Sequence, residues 1–93
     1  MADEVTLAVL QQLNAAHELS CGTRRLMFNL DFDTDVVTLR GPSSTDHVVR
    51  FDEVRLCDYV NGLGVPVSEE IVLKVLCDMY ARPERYGCVK SRS

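Results

Sequence analysis

In Arg24-Arg25-Leu26-Met27-Phe28-Asn29-Leu30-Asp31-Phe32 every second residue from Leu26 onward is large and apolar. Side chains alternate faces along a strand, so the spacing predicts a strand that buries Leu26, Phe28, Leu30 and Phe32 on one side. Asp33-Thr34-Asp35 follows as a turn, and Val36-Val37-Thr38-Leu39 as the returning strand. Gly41-Pro42-Ser43-Ser44-Thr45-Asp46 breaks the chain again before Val48-Val49-Arg50-Phe51. Residues 24–51 therefore read as a three-stranded antiparallel meander. Asn29, Asp31, Asp33 and Asp35 share the outward parity. A cation site is the less economical reading, because Asp at 33 and 35 suits the local backbone hydrogen bonds of a turn.

Helical patterns flank the meander. Residues 3–20 read as a helix, with Asp3 and Glu4 complementing its dipole and Val5, Val9, Leu13 and Ala16 forming a stripe broadened by Leu10 and His17. Gly22 suits a left-handed residue beyond its end. Asp52 is placed to cap a second helix, running through Leu56, Tyr59 and Val60 to the break at Asn61-Gly62-Leu63-Gly64-Val65-Pro66. The glycines of that break form no dinucleotide fingerprint, since a third is missing and no strand precedes them. Ser68 caps the last helix, whose core stripe is Ile71, Val72, Val75, Leu76 and Met79. Leu73, Cys77 and Tyr80 widen its apolar arc to roughly 240°, more than a surface helix needs. Pro83 ends the pattern.

The fold expected is α+β: an N-terminal helix, a three-stranded antiparallel meander and two C-terminal helices. A length of 93 residues allows one domain, read as compact over 1–83, followed by a basic, poorly ordered tail over 84–93. Removing that tail is expected to leave stability almost unchanged. No apolar run is long enough to span a bilayer, and the first residues show no basic stretch followed by an apolar one, so neither membrane span nor secretory signal is expected. The four cysteines, Cys21, Cys57, Cys77 and Cys88, then read as reduced thiols in a cytoplasmic or nuclear protein. His17 and Cys21 are four residues apart, but two ligands ahead of a helix-ending glycine do not make a zinc site. No metal or other cofactor is expected.

Charge is distributed unevenly. Of 10 basic and 14 acidic residues, four basic and one acidic fall in 82–93, leaving a body of net charge −7. Nucleic-acid affinity draws mainly on neutralising phosphates, so an acidic body disfavours that ligand.

The order helix, three strands, helix resembles that of a double-stranded-RNA-binding domain. That family carries a lysine-rich cluster at the start of its last helix, where this chain has Val67-Ser68-Glu69-Glu70, and carboxylates there repel phosphate. Val49, Phe51, Glu53 and Val54 resemble the end of an EF-hand loop, and Leu63-Gly64-Val65-Pro66-Val67-Ser68-Glu69-Glu70 the linker into a second hand. The resemblance implies a degenerate module that binds a partner helix without calcium. Pro42 stands where the first calcium-binding aspartate belongs, and His47 where the loop needs glycine.

Ser43, Ser44, Asp46 and His47 contain the letters of a hydrolase triad, yet neighbours in one turn seldom converge, and no oxyanion loop accompanies them. No catalytic residue is assigned and no small-molecule substrate inferred; a small enzyme ranks third among the readings. The leading expectation is a non-catalytic protein–protein interaction domain, such as a small adaptor, regulatory subunit or self-associating module. It would bind a protein partner or a second copy of itself through Leu73, Cys77 and Tyr80, the extra face of the last helix. An exposed sheet edge is a second route.

Overall fold

The computed structural model describes residues 4–43 and 45–92, with the backbone alone over 89–92. It contains α1 (Glu4–Ala16), β1 (Glu18–Cys21), β2 (Arg24–Asp31), β3 (Val36–Arg40), β4 (His47–Asp52), α2 (Glu53–Gly62), α3 (Glu69–Ala81), a 3-10 turn (Pro83–Tyr86) and β5 (Val89–Arg92). The class is α+β, but the expected three-stranded meander is corrected. Residues 18–52 form four consecutive antiparallel strands, and β5 adds to the β4 edge, giving the order β1-β2-β3-β4-β5.

The additional strand of the meander lies where a helix is expected. α1 stops at Ala16 because His17 takes a left-handed φ of 61°; its N–H still bonds Leu13, while its carbonyl accepts from the N–H of Phe28. Glu18–Cys21 then pairs with Arg24–Met27. Gly22 thus belongs to a tight hairpin turn, not a helix end. β1 is only four residues long and buries Leu19 alone, so no alternation marks it in the sequence. Asp3, expected in the first helical turn, lies outside the described residues.

β2 buries Leu26, Phe28 and Leu30 as its spacing requires. Phe32 does not join them. The strand ends at Asp31, whose carbonyl accepts from Asp35 N–H and whose Oδ1 accepts from Asp33 N–H, and the turn leaves Phe32 62% exposed. β3 supplies Val37 and Leu39 to the same core, and β4 supplies Val49 and Phe51. The β3–β4 connection folds on Asp46, whose Oδ2 accepts from Ser43 N–H. Asp46 leaves no room for a Cβ at position 41, which explains Gly41. Residues 47–52 are a strand, and the stretch matched to an EF-hand loop directly follows β3 where an EF-hand would have its entering helix.

α3 is the central helix. Ser68 Oγ caps it by accepting from Ile71 N–H at 3.3 Å, satisfying one of the free donors of its first turn. Val72, Val75, Leu76, Met79 and Tyr80 are buried against the sheet and α1, while Ile71, Leu73 and Cys77 are half-buried at the margin of the core. α1 contributes Thr6, Val9 and Leu10; Val5 and Ala16 face outward, so the buried stripe is rotated from the expected one.

Residues 84–92, read from sequence as a loose tail, supply the rest of the 3-10 turn and β5. Gly87 adopts φ of 67°, with Arg55 so close that a Cβ would meet its guanidinium. Among the described residues no helix is long and apolar enough to cross a membrane.

Candidate functional site

An open groove of about 710 Å3 lies between the end of the β1–β2 hairpin and the flank of α3. Ser20, Cys21, Gly22, Thr23 and Arg24 form one wall. Leu73, Cys77 and Ala81 form the other, at spacings that place them along one flank of α3. Leu26 and Tyr80 lie at its base, and Glu70, Lys74, Asp78 and Arg82 supply its charged rim.

The three residues singled out from sequence therefore meet in one place, though with different roles. Leu73 and Cys77 line the wall and are half-buried. Tyr80 is only 2% exposed. Its ring stacks on His47 with centroids 4.2 Å apart. Its hydroxyl donates to the His47 carbonyl oxygen at 3.1 Å, and His47 Nε2 lies 2.8 Å from the Tyr80 carbonyl oxygen. Burial, with the Asp46 carboxylate adding to it, pushes the Tyr80 hydroxyl above the usual phenol range, so the group stays neutral. Tyr80 is a fixed base for the groove.

Cys77 is not a free thiol. It forms a disulfide with Cys21, with Cα atoms 5.7 Å apart. This corrects the reading of four reduced cysteines and removes Cys21 from any pairing with His17 in a metal site. Sequence carries no signal for the bond, because four cysteines allow three pairings. Cys57 and Cys88 lie outside this disulfide.

The rim is largely self-neutralised. Lys74 pairs with Glu70 across one turn at 3.7 Å. Asp78 accepts from Arg82 and from the Tyr86 hydroxyl. The Tyr86 bond above all, with the nearby guanidiniums of Arg82 and Arg85 adding to it, holds the Asp78 carboxyl below its usual range. Burial, followed by the same carboxylate, pushes Tyr86 up to about 12. Arg24 makes no ion pair among the described residues, and it is the groove's unmatched charge.

The hydrolase letters do not converge. Ser43 Oγ lies 2.9 Å from Thr45 Oγ1, Asp46 bonds a backbone N–H, and His47 faces Tyr80. Ser44 lies outside the described residues. Among the described residues, no three His, Cys, Asp or Glu side chains are grouped to hold a metal ion. A second, smaller concavity of about 450 Å3 lies by Met27, Asn29, Thr38, Arg40 and Arg50, on the sheet face opposite the core.

Comparisons with protein-family models, with curated proteins and with solved structures returned no significant match.

Proposed function

We propose that this domain is a non-catalytic protein-interaction module, and that the groove between the β1–β2 hairpin and α3 receives a segment of a different protein. The supporting observation is the composition of that groove: an apolar wall and base at Leu73, Leu26 and Tyr80, bordered by ion pairs and by the unmatched Arg24. Burying an apolar side chain there gives affinity, and a few placed polar groups give orientation. The occupant with matching chemistry presents one apolar anchor toward Leu73 and one carboxylate toward Arg24.

A photo-crosslinking amino acid at position 73 tests the reading, with the same group at the exposed position 54 as control. The expected result in cells is one dominant heterologous adduct from position 73, absent from position 54 and lost when Arg24→Glu is added. An adduct of twice the chain's own mass would replace the partner with a second copy. Equal labelling from both positions would remove the groove from consideration.

A further inference from the structure

The two bonded cysteines occupy different electrostatic settings. Cys21 ends β1, and its direct cross-strand partner is Arg24, so both side chains project from the same face of the hairpin. A guanidinium there stabilises a thiolate on Cys21. The field of Arg24 also reaches Tyr80 on α3, where it favours the ionised hydroxyl. Cys77 lies one turn from the C-terminal end of α3, where the helix dipole disfavours an anion. Its sulfur is 3.8 Å from the carbonyl oxygen of Ser20, an acceptor that suits a thiol and not a thiolate. Both cysteines are half-buried and line the open groove, so a small thiol can approach. The two cysteines outside the disulfide are placed otherwise. Cys57 is buried, and burial, opposed by Arg55, pushes the half-buried Cys88 above the usual thiol range.

We propose that the Cys21–Cys77 bond is a thiol–disulfide exchange site at which a low-molecular-weight thiol of the glutathione class attacks Cys77 and expels Cys21. The incoming thiolate RS⁻ forms a bond to Sγ of Cys77. The Cys21–Cys77 bond breaks, and its electron pair leaves on Cys21, giving RS–S–Cys77 and a Cys21 thiolate beside Arg24. A second RS⁻ attacks the R-bearing sulfur, releasing RSSR and a Cys77 thiolate that takes a proton from water. Two electrons pass to the protein disulfide, and two small thiols are oxidised to RSSR. Run in reverse, RSSR is the oxidant that restores the bond. The leaving sulfur is the one whose thiolate is better stabilised, which assigns the mixed disulfide to Cys77. The inference rests on the cysteine setting in the open groove and does not require that the groove bind a protein partner.

The test uses the oxidised full chain, folded, in buffers of varied reduced-to-oxidised glutathione ratio. Acid quenching, alkylation and peptide mass analysis then locate each species. The expected intermediate carries glutathione on Cys77 and the alkylating group on Cys21, and the oxidised fraction follows the concentration of oxidised glutathione divided by the square of that of reduced glutathione. Arg24 is a positioning residue. Arg24→Gln should slow formation of the intermediate by about threefold, as for a leaving thiolate about one pK unit less stable, and Arg24→Lys should restore the rate. Glutathione found on Cys21, or an unchanged rate in Arg24→Gln, overturns the assignment of the leaving sulfur. A bond that survives excess glutathione in the folded chain and yields only in denaturant overturns the exchange itself and leaves a static crosslink.

Discussion

The two edges of the sheet are held by opposite means. At the β1 edge a strand of four residues is fixed by a covalent bond, Cys21 to Cys77, into the central helix. At the far edge, β5 pairs with β4 through residues 89–92, and its approach is held only by hydrogen bonds and packing. Arg55 Nη1 donates to the Tyr86 carbonyl at 2.7 Å, Cys88 N–H donates to the Pro83 carbonyl at 2.9 Å, and the Tyr86 hydroxyl donates to Asp78. The Tyr59 ring meets Tyr86 edge-on with centroids 4.6 Å apart. An unpaired edge is a liability in any small sheet. Here one edge depends on thiol chemistry and the other on protonation, so different solution conditions should loosen them separately.

Breaking the covalent edge should have the largest effect. The bond closes a loop of 56 residues by sequence separation. The chain-entropy treatment gives about 4 kcal/mol for a loop of that size, and measured values run from about 2 to 4 kcal/mol. Domains of this length have roughly 5–15 kcal/mol in total. Cys21→Ser and Cys77→Ser should each lose about that amount in urea denaturation, and the double variant should lose no more than either alone. Additive losses would mean that each cysteine stabilises the fold through packing and not through the bond.

Deleting residues 84–93 probes the other edge. Loss of β5 exposes the backbone of β4, and loss of Tyr86 removes a partner from Asp78 and from Arg55. The expected cost is about 2–3 kcal/mol, most of it from the hydrogen bonds that Asp78 and Arg55 no longer make. Equilibrium denaturation and solution mass should be read together, because an exposed β4 also favours pairing between chains. A loss below about 0.5 kcal/mol, typical of surface changes, would return these residues to the dispensable tail that their composition suggests.

That contrast shows what the sequence makes legible. The β2–β3–β4 meander is readable because its strands bury alternate residues on one face, and α3 because Ser68 and the 71–79 stripe mark its start and its core. β1 and β5 are not readable. Each has only four residues, too short a run for a period of two to stand out in the sequence. Phe32 shows the converse failure: an unbroken alternation extends one step past the residue at which Asp31 turns the chain. For the groove, the wide apolar arc of α3 points to Leu73, Cys77 and Tyr80. Sequence cannot separate a wall residue from a base residue, because that depends on His47, 33 positions away.

Tyr86→Phe isolates the protonation-dependent element. It deletes the hydroxyl that bonds Asp78 and should cost about 1–2 kcal/mol, as for hydrogen bonds to a charged group. In the folded chain the Asp78 carboxyl is held below its ordinary value, so this contribution is present above the unfolded pKa and fades as pH falls through the folded one. Tyr86 is raised from 10.0 to about 12, so its contribution is complete below the unfolded value and is lost as pH rises between the two. Stability of the native chain should therefore decline at both extremes, and Tyr86→Phe should lessen the alkaline decline, leaving the part that comes from Tyr80. The Cys21→Ser chain should keep both, since the covalent edge has no proton to lose.

The smallest effect belongs to the ion pair at the covalent edge. Arg25 Nη1 lies 3.9 Å from Glu18 Oε1 across the β1–β2 hairpin, with side chains 75% and 50% exposed. Solvent screens such a pair, and ordering two mobile side chains offsets much of its attraction. Arg25→Ala should therefore change stability by less than about 0.5 kcal/mol. Salt should leave the difference between Arg25→Ala and the native chain nearly unchanged. The informative form of the measurement repeats it after reduction. If the crosslink alone holds β1, Arg25→Ala remains nearly silent in the reduced chain as well. A loss above about 1 kcal/mol appearing only after reduction would show that the ion pair supports the edge once the sulfurs part, and the two edges would then differ less than their bonds suggest.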